Sequence, residues 1–399
     1  MKKTILFMII NMNIGGTEKA LLNMISEMSK EDFDITILML EKKGGFIEYI
    51  PEHVKIDVLS EYKNIKEMIQ EPIHISALKY LKKGDILKVL ILVYVFLYSK
   101  ITRENSLLFK YLLKHVPTRD CFTYDTAVAY AGPMDFISYY ILKRVKADKK
   151  IQWIHFDITK IGFNTRFVSK FYKMFDKIFV VSEEAKAKLI NEVPLLKYNT
   201  ETFNNIVSPS MIFEQSIDSV GFEDNQSDLR ILTVGRLSFE KGQDMAIKVL
   251  ARLKKNGYRV KWYCIGDGKL REEYLELIQR YGLKEDFILL GAIPNPYPYL
   301  RQCDIYVQPS RFEGYCITTL EAKCFNKPIL STDVNGVKEQ LENGKTGVIV
   351  KIDENDIYQG LKELIDRKEI RDRLSANLEI ENKSDKEAEN KVKNLIFLG

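Results

Sequence analysis

Two glutamates around a glycine are the first residues whose types and spacing suggest chemistry. Glu313 and Glu321 lie eight positions apart, just after an apolar run at Ile305–Gln308 that predicts a buried strand. If the next helix begins near Tyr315, its N-terminal amides point toward the carboxyl edge of the sheet and can stabilise an anionic leaving group without a metal ion. The competing interpretation is an amphipathic helix with two exposed acids, because paired glutamates at this spacing are unspecific by themselves.

A basic loop is the second candidate for an anion site. The segment from Gly235 to Gly242 follows the predicted strand Arg230–Val234 and contains Arg236 and Lys241. An arginine can bind a diphosphate through two parallel hydrogen bonds, and a lysine adds a point charge. Both cations are expected at the carboxyl end of the strand, where they could reach one anion. A solvated basic loop is the alternative that the residues leave open.

A glycine pair near the amino terminus is the third candidate. Gly15 and Gly16, followed by Thr17 and Glu18, lie between a predicted strand and a predicted helix. Glycines at such a turn allow a ligand to approach the backbone, and the free amides of the helix start favour an anion. A plain strand-to-helix turn explains the same residues equally well. The third glycine of a dinucleotide-binding fingerprint is missing, which counts against a nicotinamide-dependent oxidoreductase.

His155 is a further candidate, since the chain has four histidines and this one ends a predicted strand. It lies within the run Trp153–Asp157, beside an aromatic residue and an acid. Such a histidine can transfer a proton or donate a hydrogen bond to a ligand. A lone histidine is nevertheless more often a structural donor than a catalyst.

The elements that must position these residues form a regular alternation. Apolar runs typical of buried strands, such as Thr4–Ile10 and Asp34–Leu40, alternate with helical patterns such as Thr17–Ser29. The alternation begins afresh with the strand Arg230–Val234 and the helix Gln243–Asn256. A pattern of this kind predicts an α/β fold in which parallel sheets carry helices on both faces.

Two series of similar length predict two Rossmann-like domains that face a central cleft, where ligands bind at the carboxyl ends of the strands. We assign residues 1–205 to the first domain and residues 206–377 to the second, with a polar loop near Asp218–Asp228. The charged residues 378–399 predict a C-terminal helix that packs back on the first domain.

Composition restricts the class of protein. The chain has 399 residues, of which 46% are hydrophobic and 29% charged, so a disordered or fibrous protein is excluded. The net charge of +5 is small for a nucleic-acid-binding protein of this length, and no nucleic-acid-binding module is recognisable. Five cysteines without a Cys-x-x-Cys pair favour a reducing compartment, and we predict a cytoplasmic protein. The short apolar run near the amino terminus favours a buried strand over a signal peptide.

The segment Ala77–Arg119 has a charge of its own. The segment contains nine lysines and arginines but only two acids, Asp85 and Glu104, so its net charge is 9 − 2 = +7. Within it, Ile86–Tyr98 is apolar except for Lys88 and is too short for the about 20 residues of a membrane span. Two interpretations remain open: interfacial helices that lie on an anionic membrane, or an ordinary helical pair with a buried apolar stretch.

The ordered motifs together resemble the family-4 retaining glycosyltransferases, which have the GT-B fold of two Rossmann-like domains. The resemblance covers most of the chain and rests on six motifs. In chain order, the six motifs are Gly15 to Lys19, Gly235 to Gly242, Ile265 to Glu272, Ser310 to Ala322, Asn335 to Glu339 and Gly344 to Gly347.

The resemblance implies a role for each motif residue on the donor side. Arg236 and Lys241 would bind the diphosphate of a nucleotide-sugar donor. Glu313 and the backbone of the next four residues would hold the donor sugar, and Glu321 would bind the ribose. Those four residues are Gly314, Tyr315, Cys316 and Ile317. Cys316 departs from the proline or small residue that is frequent in the family, which concerns the local turn and the sugar preference.

The remaining roles concern the first domain. His155 would contact the donor sugar near the reacting carbon, and Gly16 would lie beside the diphosphate. Gly15, Thr17 and Glu18 would form a loop on the acceptor side. The implied catalytic residues are therefore His155 with Glu313, Arg236 and Lys241. No cofactor and no metal are expected, because Asp32-Phe33-Asp34, the one Asp-x-Asp sequence of the kind that metal-dependent transferases use, begins a predicted strand.

The implied activity is transfer of a hexose or N-acetylhexosamine from a UDP-sugar to a cell-envelope or polysaccharide acceptor, including lipid-linked ones. The implied location is the cytoplasm or the inner face of the cell membrane, with peripheral contact through residues 77–119. Two alternatives share the donor site: a nucleotide-sugar isomerase or epimerase of the same fold, and a non-catalytic partner subunit of an active transferase. Nucleic acid is not an expected partner.

Overall fold

The computed structural model describes residues 2–71, 73–82, 84–116, 119–132, 134–159, 163–217, 220–223 and 228–384. The chain divides into two compact units, which are described separately. The first unit comprises Met1–Asn13 and Ser29–Phe203, and the second comprises Ile14–Met28 and Asn204–Gly399. The division thus falls beside the predicted boundary at residues 205 and 206, and the first helix groups with the second unit.

In the described part of the first unit, seven parallel strands form one sheet in the order β3-β2-β1-β4-β5-β6-β7. The strands are β1 (Lys3–Ile9), β2 (Phe33–Met39), β3 (Lys55–Val58), β4 (Arg119–Gly132), β5 (Val145–Ile154), β6 (Lys177–Val180) and β7 (Thr200–Thr202). The crossovers between parallel neighbours are helical, as the alternation predicts.

The helices up to residue 192 are α1 (Gly16–Ser26), which belongs to the second unit, α2 (Tyr62–Gln70), α3 (Ile73–Lys82), α4 (Ile86–Thr102), α5 (Ser106–Leu112), α6 (Asp135–Arg144), α7 (Thr165–Phe171) and α8 (Glu183–Glu192). Short 3-10 helices lie at Ile47–Tyr49, Leu113–His115, Tyr172–Met174 and Pro194–Leu196. The core of the first unit forms where Met8 of β1 packs with Tyr62, Leu92 and Phe136 from three of these helices.

In the described part of the second unit, six parallel strands form a sheet in the order β10-β9-β8-β11-β12-β13. The strands are β8 (Leu229–Val234), β9 (Val260–Ile265), β10 (Phe287–Gly291), β11 (Ile305–Gln308), β12 (Ile329–Thr332) and β13 (Val348–Val350). Both faces are covered: Trp262 packs in one apolar cluster and its neighbour Tyr263 in the other. This alternation follows from the two-residue period of a strand.

The later helices are α9 (Pro209–Gln215), α10 (Gln243–Lys255), α11 (Arg271–Arg280), α12 (Tyr297–Gln302), α13 (Ile317–Cys324), α14 (Val337–Gln340), α15 (Glu354–Asp366) and α16 (Lys368–Ser384), with a 3-10 helix at Phe239–Lys241. The α/β class and the two Rossmann-like sheets of the prediction are confirmed. Most of the predicted polar loop near Asp218–Asp228 lies outside the described residues.

The C-terminal helix packs on the second unit as far as it is described. Leu374 and Leu378 enter the two apolar clusters of that unit, and Glu381 pairs with Lys323 of α13 at 2.8 Å. Residues 385–399 lie outside the described residues, so their packing against the first domain stays a prediction. None of the helices in the described ranges combines the length and the apolar character needed to cross a membrane.

Candidate functional site

The basic loop between β8 and α10 is held in place by its glycines. The Gly242 φ angle is 71°, in the left-handed region that favours glycine. A Cβ atom on Gly242 would lie 2.0 Å from the carbonyl oxygen of Pro309, so the two loops touch backbone to backbone. Leu237 is buried in the core below the loop. These contacts bring Lys241, the residue before Gly242, next to the loop that follows β11.

Lys241 and Glu313, predicted separately on two motifs, form an ion pair. The Lys241 Nζ atom donates to Oε1 and Oε2 of Glu313 at 2.7 and 2.8 Å. Burial alone would lower the pKa of Lys241, but the Glu313 carboxylate outweighs it and the pKa is raised above its ordinary value. Lys241 therefore carries a positive charge throughout the neutral range.

A chain of buried polar side chains fixes the Glu313 carboxylate. Ser310 Oγ donates to its Oε1 atom at 2.6 Å, and Gln308 Nε2 approaches the same oxygen at 3.2 Å. Gln308 also donates to Ser310 at 2.8 Å and accepts from the Tyr306 hydroxyl. These supporting residues were not predicted. The available signal was Gln308 itself, a polar residue at the end of an otherwise apolar buried strand.

Arg311 joins the two loops from the outside. Its guanidinium donates to both carboxylate oxygens of Asp244, at 2.8 and 2.7 Å, and to the Phe239 carbonyl at 2.7 Å. It also lies over the Phe239 ring, 4.1 Å from the centroid. A bidentate arginine–carboxylate pair has a defined geometry. Arg311 thus acts as a clamp between the loop after β11 and the start of α10.

The predicted helix start near Tyr315 is corrected by two residues, because α13 begins at Ile317. Cys316 is the N-cap in an extended conformation, with φ −70° and ψ 104°, and Gly314 and Tyr315 precede the helix. The extended stretch is held by Asn205, whose side-chain amide donates to the Tyr315 carbonyl at 3.3 Å. Burial, followed by the nearby Glu313 charge, raises the pKa of the Cys316 thiol, so Cys316 stays protonated.

Glu321 occupies a different environment from Glu313. Its side chain is 1% exposed, and its Oε1 atom accepts from the Tyr297 hydroxyl at 2.9 Å. The Lys19 Nζ atom lies 4.0 Å from Oε1 and 4.3 Å from the centroid of the Tyr297 ring. Burial raises the pKa of Glu321, against the opposing effects of Lys19 and Tyr297. The sequence did not indicate that Tyr297 and Lys19 would meet this glutamate.

The glycine pair begins α1, which starts at Gly16 with Gly15 as its N-cap. Gly16 is exposed, and a Cβ atom there would meet nothing within 4 Å. Glu18, two residues further on, is half-buried. Burial raises its pKa to about 7, while its backbone hydrogen bond and the Arg236 charge oppose that rise. The first turn of α1, which contains Thr17, therefore brings an acid near the basic loop of the second unit.

His155 belongs to the first unit and is described within it. It follows β5, lies buried among aromatic rings, and stacks parallel to Trp153 at 6.0 Å between ring centroids. The Tyr130 ring is 4.4 Å away. Among the residues that the structure describes, neither ring nitrogen has a hydrogen-bond partner of normal geometry. Burial lowers its pKa to about 3 in spite of the Tyr130 backbone, so the imidazole is neutral at physiological pH.

The second unit thus brings Lys241, Glu313 and the residues before α13 together. Helix α1 adds Glu18, which lies near Arg236 of the basic loop. The arrangement can bind an anion, since cations and helix-start amides converge at the carboxyl ends of β8 and β11. The Asp32–Asp34 segment lies elsewhere, at the amino end of β2. Among the described residues, no three histidine, cysteine, aspartate or glutamate side chains gather as metal ligands would.

Comparison with known proteins finds a family match for most of the second unit. Residues 216–380 match the family described as glycosyl transferases group 1. A relative from Campylobacter jejuni, named N-acetylgalactosamine-N,N'-diacetylbacillosaminyl-diphospho-undecaprenol 4-alpha-N-acetylgalactosaminyltransferase, is 29% identical over 210 residues, 52% of this chain and 56% of its own length. The chain spans about half the length of this and similar curated relatives.

Solved structures with the same fold cover the whole chain. Anabaena Alr3699/HepE in complex with UDP and glucose has a TM-score of 0.70 at 17% identity, covering 98% of this chain and 97% of its own. Staphylococcus aureus TarM, in a complex that contains UDP, has a TM-score of 0.70 at 16% identity, with coverage of 99% and 100%. Residues 216–380 therefore match the glycosyl transferases group 1 model, and the two Rossmann-like units of the chain have the GT-B fold.

Proposed function

We propose that this protein is a retaining glycosyltransferase of family 4 that takes a hexose or N-acetylhexosamine from a nucleotide-diphosphate sugar. The observation that carries the proposal is the ion pair between Lys241 and Glu313. The Lys241 Nζ atom lies less than 3 Å from both carboxylate oxygens of Glu313. Their ordered motifs resemble those of family 4, and their loops belong to the segment that matches the glycosyl transferases group 1 model. A donor would bring its diphosphate to Lys241 and Arg236 and its sugar to Glu313.

The transfer step follows from this charge distribution. The bond between the anomeric carbon and the diphosphate oxygen breaks, while a bond from the acceptor oxygen forms on the same face of the sugar. The acceptor hydroxyl proton passes to the departing phosphate oxygen, so no protein base is required. Arg236, Lys241 and the amides that precede α13 stabilise the negative charge on the leaving diphosphate. Glu321, buried beside Tyr297, is proposed to bind the ribose through a reoriented carboxylate.

His155 has a limited role in this scheme. Its lowered pKa of about 3 keeps the ring neutral, so it can donate or accept a hydrogen bond but does not act as a cation near neutral pH. We propose that its neutral ring contacts the donor sugar. Gly15, Gly16, Thr17 and Glu18 are proposed to border the diphosphate and the acceptor. No metal ion and no cofactor take part in the proposed reaction.

UDP is the proposed nucleotide, because related folds have been solved with UDP and with glucose. The proposed acceptor is a glycan of the cell envelope or of a polysaccharide, in lipid-linked form. The name of the Campylobacter jejuni relative, which specifies a diphospho-undecaprenol acceptor, supports this class. A cytoplasmic location with peripheral contact at the inner face of the cell membrane accompanies such an acceptor.

The experiment is a screen of UDP-, GDP- and ADP-sugars by thermal shift, followed by transfer assays with the sugars that bind. The product of an α-linked donor is expected to be α-linked, as measured by the anomeric NMR coupling. A β-linked product would contradict retention. Consumption of the donor to an isomeric nucleotide sugar without acceptor would favour the isomerase alternative. Binding without any turnover would favour a non-catalytic partner subunit.

A further inference from the structure

The helical layer of the first unit carries an unusual apolar surface. Among the described residues, ten of the exposed large apolar side chains lie on α3 and α4, between Ile75 and Ile101. The most exposed are Leu87, at 70%, and Ile101, at 79%. A contiguous exposed apolar patch of this kind marks an interaction site in a water-soluble fold, whereas single exposed apolar residues are ordinary.

One face of α4 is buried in the first unit, and the opposite face is exposed to solvent. Leu92 and Val95 are 1% and 2% exposed and pack in the core of the first unit. Leu90, Tyr94 and Leu97 are exposed and follow spacings of three and four residues, which place them on the opposite face of the helix. The inner face therefore anchors the helix, and the outer apolar face is available for a partner. Of the two interpretations left open for Ile86–Tyr98, a buried apolar stretch therefore describes only the inner face.

Adjacent α3 contacts α4 and extends the same kind of surface with Leu78 and Leu81, which are exposed at a spacing of three residues. Cations border it. Lys79 pairs with Glu71 and Lys88 with Asp85, at 2.8 Å in both cases. The ammonium of exposed Lys100 lies 5.3 Å from the centroid of the Phe96 ring. Long cationic side chains beside leucines and tyrosines are typical of helices that lie in a membrane interface.

We propose that the outer face of α3 and α4 binds the surface of an anionic phospholipid bilayer. Charge distinguishes this partner from a second copy of the chain. Residues Ala77–Arg119 carry nine cations against two acids, or +7, and a twofold interface would oppose two such segments. An anionic bilayer instead attracts the cations while the leucines enter the acyl boundary. The inference deepens the proposed function. The membrane contact is argued independently of that function, and only the lipid-linked acceptor depends on it.

The test is flotation of the full chain with vesicles of equal parts phosphatidylglycerol and phosphatidylcholine, beside vesicles of phosphatidylcholine alone. We expect the wild-type protein to float with the anionic vesicles and to lose most of that binding in high salt. The variant Leu87→Gln/Leu90→Gln/Leu97→Gln is expected to bind the anionic vesicles at least about tenfold more weakly. The matched control Leu195→Gln/Leu275→Gln/Ile380→Gln changes exposed apolar residues elsewhere and should float like wild type.

UDP binding by the same proteins separates this inference from the proposed function. If the wild type binds UDP but does not float with anionic vesicles, the membrane contact is refuted and the donor site is untouched. If it floats but does not bind UDP, the donor site fails and the membrane contact stands. A wild-type dimer that the triple variant abolishes, without vesicle binding, would assign the face to a second copy and overturn the proposal.

Discussion

Two ionisable side chains follow strands in the two units, and their surroundings are opposite. Glu313, after β11 of the second unit, has Lys241, Ser310 and Gln308 as partners within 3.2 Å. His155, after β5 of the first unit, has aromatic rings around it, and its ring nitrogens have no hydrogen-bond partner of normal geometry in the described part of the chain. The first arrangement holds a charge in place, and the second suppresses one.

The difference shows that two residues at equivalent positions in a fold can have different chemical properties. Parallel sheets place the residues after their strands at one edge, so both side chains are candidates for a ligand site. The buried neighbours decide what each can do. Fixed donors orient the carboxylate of Glu313, whereas desolvation lowers the pKa of His155 and keeps its imidazole neutral. The variants below either break this contrast or make it sharper.

The largest effect is expected for Lys241→Ala. It removes the cation that contacts both oxygens of Glu313 and, in the proposed mechanism, the leaving diphosphate. We expect a loss of about 100- to 1,000-fold in kcat/KM for the donor. Ser310 and Gln308 still donate to Glu313, so the protein should stay folded. Steady-state kinetics and circular dichroism provide the measurement.

Lys248→Ala is the matched control for that variant. Lys248 also lies near the start of α10 and pairs with Glu354 at 2.7 Å, but both side chains are exposed. Such a surface pair contributes at most about 1 kcal/mol to stability, and kcat/KM should be unchanged. Equal losses in the two lysine variants would remove the special role assigned to Lys241.

The next effect concerns stability rather than activity. His155 has a pKa of about 3 in the folded protein, below the unfolded value, so the unfolded state binds the proton first as pH falls. Because of this difference in proton binding, the free energy of unfolding falls by about 2 kcal/mol as the pH is lowered from 8 to 5. In His155→Leu that loss should disappear. Denaturant unfolding followed by Trp153 fluorescence in a Trp262→Phe background measures it.

Exposed His53 provides the control for the acid sensitivity. His53→Leu, in the same Trp262→Phe background, should retain the wild-type loss of stability on acidification. If His155→Leu were as acid-sensitive as the wild type, the imidazole would not be the desolvated group that the structure describes.

A smaller effect is expected for Ser310→Ala, a residue that positions Glu313 without contacting the donor. Loss of its 2.6 Å hydrogen bond should lower kcat/KM about tenfold. In the Lys241→Ala background the same substitution should have little further effect, because both act through Glu313. Ser331→Ala, in a neighbouring buried strand, is the control. Fully additive losses would mean that Ser310 acts independently of the Lys241–Glu313 pair.

The smallest effect concerns Glu18. Its pKa of about 7 means that the carboxyl gains a negative charge near Arg236 as pH rises through neutrality. Donor binding should therefore weaken by about fivefold between pH 6 and pH 8.5. Glu18→Gln should remove the dependence, and exposed Glu31→Gln should keep it. Calorimetry with a UDP-sugar is suitable, since its diphosphate has no group that titrates there.

Much of the fold could be predicted, because its signals are local. The strand at Ile305–Gln308 has the predicted bounds, since a short apolar run between polar turns leaves little choice. Helix α6 was missed, because Phe136 to Ile141 are all buried and no polar face creates a helical period. The start of α13 was placed two residues early, because the extended stretch before it depends on Asn205, far away in the sequence.

The candidate site was predictable only in part for the same reason. Arg236, Lys241 and Glu313 belong to ordered motifs, so the sequence could nominate them. The contacts of Glu321 with Tyr297 and Lys19 join residues 24 and 302 positions away, which no local pattern encodes. The neutral state of His155 likewise depends on burial among rings from different strands.

Binding of UDP tests the central claim most directly, because it needs neither the sugar nor the acceptor. Calorimetry should show that the wild-type chain binds UDP and that Arg236→Ala binds it about 10- to 100-fold more weakly. Arg280→Ala, which changes an exposed arginine of the same unit, should bind like wild type. If UDP and other nucleoside diphosphates failed to bind, or bound Arg236→Ala as tightly as wild type, the basic loop would not be a donor site.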